Sequence, residues 1–210
     1  AKAAESEANP QEPEPVPEEA VPPEEVVDVE PAPAVVQLPE VGTASVFKDC
    51  DASSSSNYLA ELYSLPVNTE KLPDFPTLTS IKKICIKQLD ITARSFNEGF
   101  PGLDKEFTEW FALNLNFNLK IEVAGIYKFK LNSDDGSKLF IDGNPSAIID
   151  NDGKHVPTAI EGKATLTTGV HKVNLQYYQG PRDTIALELF WTPPGGTQSY
   201  IPPALITRGK

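Results

Sequence analysis

Phe111-Ala112-Leu113-Asn114-Leu115-Asn116-Phe117-Asn118-Leu119-Lys120-Ile121 decides how this chain folds. Apolar residues stand at 111, 113, 115, 117, 119 and 121 without a break, so the period is two. A strand of that period turns one face to a core and the other to solvent. Shorter echoes follow at Ile126 to Leu131, Lys138 to Ile141, Ala164 to Thr167, Val170 to Tyr178 and Thr184 to Trp191, with Gly, Pro, Asn and Asp between them. No stretch repeats at the helical period of 3.6. Short strands divided by turn signals predict an all-β protein, an antiparallel sandwich or barrel.

Upstream of Ile81 the pattern weakens. Residues 41–80 form a transitional leader expected to pack on the domain, which itself spans 81–210. Within the leader, Ser53-Ser54-Ser55-Ser56-Asn57 reads as a loop and Tyr58 to Tyr63 as a short helical turn. Leu72-Pro73-Asp74-Phe75-Pro76 must be extended, because each proline biases the residue before it away from helix. Further upstream, residues 1–40 contain nine prolines and no aromatic residue. Such a segment buries too little apolar surface to offset its ordering entropy, and its prolines favour polyproline II. It is expected to be a disordered tether, reaching on the order of 100 Å if fully extended.

The formal net charge of the chain is -12, but residues 1–40 alone carry ten Glu and Asp28 against Lys2. The remainder is close to neutral, and no basic stripe is present to neutralise phosphates, so nucleic acid is not an expected partner. No apolar run reaches the roughly 18 residues of a membrane-spanning helix. Two cysteines occur, Cys50 and Cys85. In an oxidising compartment they would close a loop worth about 3–4 kcal/mol; in a cytosolic protein they would be buried thiols. The first reading suits an exported protein.

The residues with chemistry to offer cluster in loops. Asp134 and Asp135 end one predicted strand. Neighbouring strand side chains point to opposite faces, so two adjacent carboxylates converge only where the backbone turns sharply, and a hard cation rewards that convergence. The alternative is an acidic β-turn in which Gly136 supplies positive φ. A second acidic loop, Asp150-Asn151-Asp152-Gly153-Lys154-His155, lacks the anchoring acidic residues of an EF-hand at its first and last positions. Asp150 and Asp152 would line a polar rim or make Asx turns. His171 falls inside a strand and is expected to be structural. No nucleophile motif or metal triad appears, so the chain reads as a non-enzyme.

The order Glu109-Trp110-Phe111-Ala112, Gly125-Ile126-Tyr127-Lys128-Phe129, Ser133-Asp134-Asp135-Gly136-Ser137, Ile141-Asp142-Gly143, Tyr177-Tyr178-Gln179-Gly180-Pro181 and Thr192-Pro193-Pro194-Gly195-Gly196 is very similar to the protective-antigen-type PA14 domain family. The resemblance covers about residues 93–203, and Tyr63-Ser64-Leu65-Pro66 and Leu72-Pro73-Asp74-Phe75 look like the leader of bacterial members. It implies a jelly-roll-like β-sandwich. In the family's sugar-binding adhesins, paired aspartates joined by a cis peptide hold a calcium ion that coordinates sugar hydroxyls. Asp134 and Asp135 match that pair, and Gln179 stands roughly where the adhesins place a third ligand, an asparagine. The implied rim is Asp150, Asn151, Asp152 and His155 on one side, with Arg182 and Asp183 on the other, unless Arg182 and Asp183 simply pair with each other. Tyr177, Tyr178, Phe190 and Trp191 are sugar-stacking candidates or core residues. The expected function is a secreted or cell-envelope, non-catalytic module binding a glycan with calcium. The alternative is a metal-free module that docks to an envelope protein.

Overall fold

The six apolar side chains of the alternating stretch are all buried to within 2% of full exclusion from solvent. At about 1.5–3 kcal/mol for each large apolar side chain withdrawn from water, this stripe is a main source of folding energy. The computed structural model describes residues 58–103 and 107–209, with the backbone of 47–49, within one compact unit, Val41–Lys210. The acidic segment 1–40, the Ser53–Asn57 loop and Cys50 lie outside the described residues.

Thirteen strands are seen among the described residues: β1 (Phe47–Asp49), β2 (Tyr58–Ser64), β3 (Lys82–Ile86), β4 (Asp90–Ser95), β5 (Phe111–Ile121), β6 (Gly125–Asp134), β7 (Ser137–Ile141), β8 (Ile149–Asn151), β9 (Thr158–Leu166), β10 (Gly169–Gln179), β11 (Thr184–Thr192), β12 (Ser199–Tyr200) and β13 (Ile206–Arg208). One sheet runs β1-β3-β2-β5-β10-β7-β8, with β13 also on β5; the other runs β12-β11-β6-β9, with β4 also on β11. Every pairing is antiparallel. The fold is therefore an antiparallel β-sandwich. Its core lies between the sheets, where Leu113, Leu115 and Phe117 of β5 join one cluster with Phe129 and Leu131 of β6 and Leu187 and Leu189 of β11.

One local expectation fails. Tyr58 to Tyr63 is not a helical turn: β2 occupies it, with Leu59 opposite Asn116 and Ser64 opposite Phe111 of β5. The reason is tertiary. Tyr58, Ala60 and Leu62 are each at most 1% exposed, a period-two stripe that a helix would split between core and solvent. One side of β5 and one side of β11 are each shared by two strands. β2 pairs with Phe111–Asn116 and β13 with Phe117–Leu119, so both ends of the domain meet along β5.

The connector between β2 and β3 covers the outer face of the larger sheet at one end. There Leu65 and Phe75 form a second apolar cluster with Tyr63, Ala112 and Tyr178, with Leu72, Leu78 and Trp110 packed against it. Tyr63 and Phe75 meet edge to face at 5.2 Å, a favoured aromatic geometry. His171, in β10, bridges Asp142 Oδ2 at 2.7 Å and the Thr167 carbonyl at 2.8 Å. Burial works against its charge, but the bonds to Asp142 and Thr167 outweigh it and hold its pKa above the usual histidine value. It ties the loops that follow β7 and β9 to β10, as a structural histidine.

Candidate functional site

Loops β6–β7, β8–β9 and β10–β11 meet at one end of the sandwich and enclose a cavity of about 230 Å³ lined by Asp134, Asp135, Lys154, His155, Val156, Pro181 and Asp183. Asp134 is the last residue of β6, and its peptide bond to Asp135 is cis. Gly136 is needed here for space. It does not adopt positive φ, as the turn reading required. A Cβ at Gly136 would stand 2.5 Å from Tyr178 Cε1 and 2.9 Å from the Gly153 nitrogen. The ring of Tyr178 thus packs directly behind the acidic pair.

Both Asp135 oxygens are held by backbone donors. The His155 N–H donates to Oδ1 at 3.0 Å, and the Gly180 N–H donates to Oδ2 at 2.7 Å. Burial raises the Asp135 pKa, and these two bonds pull the other way. Asp134 has less relief. Burial, then the Asp135 charge beside it, pushes its carboxyl up to about 7. Its carbonyl oxygen accepts the Tyr177 hydroxyl at 2.6 Å.

Gln179 is completely buried in this layer. Its amide nitrogen donates to the carbonyls of Pro181 and Thr184, and its oxygen accepts from Tyr177. The amide also lies within reach of the Asp134 carboxylate and favours its charged form. Gln179 therefore joins the acidic pair as a brace behind the cavity and not on its lining.

The expected rim divides. His155 and Asp183 line the cavity. The His155 ring sits between the carbonyls of Val156 at 2.9 Å and Asn151 at 3.0 Å. Asn151 faces inward instead: it is 6% exposed and donates to Ser133 Oγ and the Thr158 carbonyl, each at 3.0 Å. Asp150 and Asp152 both pair with Lys138, at 3.3 and 3.2 Å, away from the cavity. Arg182 pairs with Glu109 at 2.7 Å, not with Asp183. Tyr177 and Tyr178 are fully buried and Trp191 nearly so, which makes them core residues. Phe190 stacks on Tyr200 at 4.5 Å, outside the cavity. Lys154, Val156 and Pro181 were not singled out by the sequence; their only signal was adjacency to the two loops that were.

Three of the seven residues that line the cavity are aspartates, whose oxygens are the donor type a hard dication takes. Asp134, Asp135 and Asp183 are all on its wall, and the Asp134 pKa is raised by burial first and by the neighbouring Asp135 charge second. No group of three or more His, Cys, Asp or Glu side chains among the described residues converges as a closed metal site would.

An antiparallel sandwich with an acidic, loop-built cavity at one end is the class that fold and site define. Residues 106–204 match the PA14 domain family, and the chain carries a PA14 domain. Solved structures agree on the fold. The PA14 sugar-binding domain from an RTX adhesin is 17% identical with a TM-score of 0.59, over 74% of this chain and 100% of its own. The PA14 domain of the antifreeze protein MpAFP is 20% identical with a TM-score of 0.58, over 77% and 97%. A subtype-switched epithelial adhesin A domain from Candida glabrata, in complex with β-lactose, is 14% identical with a TM-score of 0.50, over 77% and 92%. No curated protein sequence matches the chain. Among the described residues no helix is long and apolar enough to cross a membrane.

Proposed function

We propose that this protein is a non-catalytic carbohydrate-binding module of an exported or cell-surface protein, with the Asp134–Asp135 cavity as its glycan site. The observation that carries this reading is a single cavity lined by Asp134, Asp135 and Asp183, in which burial and then the Asp135 charge push the Asp134 carboxyl up to about 7. The PA14 sugar-binding domain of the RTX adhesin and the epithelial adhesin A domain in complex with β-lactose support the ligand class. Calcium is the proposed cofactor, held by Asp134 and Asp135, with Gln179 bracing Asp134 from behind. When bound, it would supply a Lewis-acidic centre for vicinal sugar hydroxyls. The chain's own residues would do the rest. Asp135 stays fixed between the His155 and Gly180 amides, Asp183 and Lys154 offer hydrogen bonds at the rim, and Val156, 73% exposed, offers an apolar contact.

Calorimetric titration of calcium into chelator-treated full-length protein tests the cofactor, followed by a glycan array with and without calcium. Uptake at a Kd of about 100 μM or tighter, with array signals that chelator removes, is the expected result. Heat-silent titration to millimolar calcium together with a blank array would sink the proposal. The internal satisfaction of the Gln179 amide favours a second reading, a metal-free module that docks to an envelope protein. That reading predicts the blank array.

Export also implies that Cys50 and Cys85 pair. In support, β1 runs beside β3 with Lys48 opposite Cys85. Alkylation in denaturant is expected to add no label before reduction and two labels after it, read by intact mass. Labels added without reductant would mean two thiols.

A further inference from the structure

The connector between β2 and β3 is remote from the cavity in sequence and lies outside the matched segment 106–204. It nevertheless reaches both partners of Asp135. On one side the Leu72 N–H donates to Asp152 Oδ1 at 2.7 Å, and the same carboxylate oxygen accepts the Gly153 N–H at 2.9 Å. Two residues on, His155 gives its N–H to Asp135 Oδ1. On the other side the Leu65 N–H donates to the Trp110 carbonyl at 2.7 Å, and the Trp110 N–H donates to the Gly180 carbonyl at 3.2 Å. Gly180 then gives its own N–H to Asp135 Oδ2. Trp110 sits at φ 53°, where a non-glycine residue is held only by its surroundings. Between the two arms, Tyr178 packs against Leu65 and Phe75 of the connector in the second apolar cluster and against Gly136 beside the acidic pair.

We propose that the connector, residues 65–78, is a clamp that presets the Asp135 carboxylate for ligand binding, and that Asp152 is the positioning residue of one arm. Its significance for binding rests on the reading of the cavity as the ligand site; the mechanical coupling does not. Asp152 is suited to the role because it touches three elements at once: the connector through Leu72, its own loop through Gly153, and β7 through Lys138. It does not line the cavity. Its effect on a ligand is therefore indirect, through where the His155 amide stands.

Residue-resolved amide hydrogen exchange on the metal-free full-length protein tests the clamp without any ligand. In Asp152→Ala, the His155 amide is expected to exchange about tenfold faster or more, while Gly180, on the other arm, and Leu113 in β5 keep their protection. Asp152→Asn keeps an acceptor for Leu72 and is expected to restore His155 to within about threefold of the parent. Unchanged exchange at His155 in Asp152→Ala would overturn the proposal. So would equal acceleration of His155, Gly180 and Leu113, which would mean general loosening. Calcium titration of the same variants gives the second readout, a weaker affinity in Asp152→Ala that Asp152→Asn recovers. Should the parent take up no calcium, the function reading falls, and the exchange data still decide the clamp.

Discussion

Asp134→Asn is expected to make the metal-free protein more stable at pH 7.5 while abolishing ligand binding. The sign follows from the raised pKa. The folded state keeps the Asp134 proton up to about pH 7, whereas an unfolded aspartate releases it near pH 4. Below pH 4 both states are protonated and the residue costs nothing. As pH rises from 4 to 7, the unfolded state ionises while the folded state cannot follow, so stability falls across that window and stays low above it. Asparagine removes the charge and with it the penalty, for a gain of about 1–3 kcal/mol above pH 7 once solvent access to the cavity is allowed for. The measurement is Tm of parent and variant in chelator from pH 4 to 8. The curves should meet near pH 4 and separate by several degrees at pH 8. Added calcium should reverse the order, since a ligand at 100 times its Kd stabilises the parent by about 2.7 kcal/mol. A variant less stable than the parent at pH 8 in chelator would mean that the Asp134 charge is already compensated inside the protein.

Gly136→Ala is expected to be the most damaging single change near the cavity, at about 2–3 kcal/mol or more. The added Cβ meets the Tyr178 ring on one side and the Gly153 backbone on the other. Tyr178 cannot give way, because it is fully buried against Leu65, Phe75 and Ala112. Gly153 cannot retreat without moving His155, which holds Asp135. Gly143→Ala is the comparison: φ there is +69° but a Cβ meets nothing within 4 Å, so only backbone strain of about 1 kcal/mol is involved. Urea unfolding of the two variants separates crowding from strain. Equal losses would show that Tyr178 is free to yield.

The architecture was legible because β5 carries its burial in a strict alternation that only a strand uses. β2 was less legible. Tyr58, Leu59, Leu62 and Tyr63 also fit a helical spacing, and only the pairing with β3 and β5 resolves the ambiguity, through partners 20 and more residues away. At the site, the adjacent carboxylates announced themselves by residue type. The groups that hold Asp135 did not, because they are the main-chain amides of His155 and Gly180, and any residue type supplies an amide. Asn151 misled for a related reason. It sits in an acidic loop that looks like surface, but its side chain turns in to bond Ser133 and the Thr158 carbonyl. Gln179 lies beside Asp134, and the commitment of its amide to Tyr177, Pro181 and Thr184 depends on loop geometry that no spacing reveals.

The sharing of one strand by both ends of the domain bears on how the molecule is made. β5 lacks a complete neighbour on that side until β13, at residues 206–208, arrives to cover Phe117–Leu119 next to β2. That side of Phe117–Leu119 stays open until β13 docks. That pairing joins residues 117–119 to residues 206–208, and the entropy of closing so long a loop slows folding.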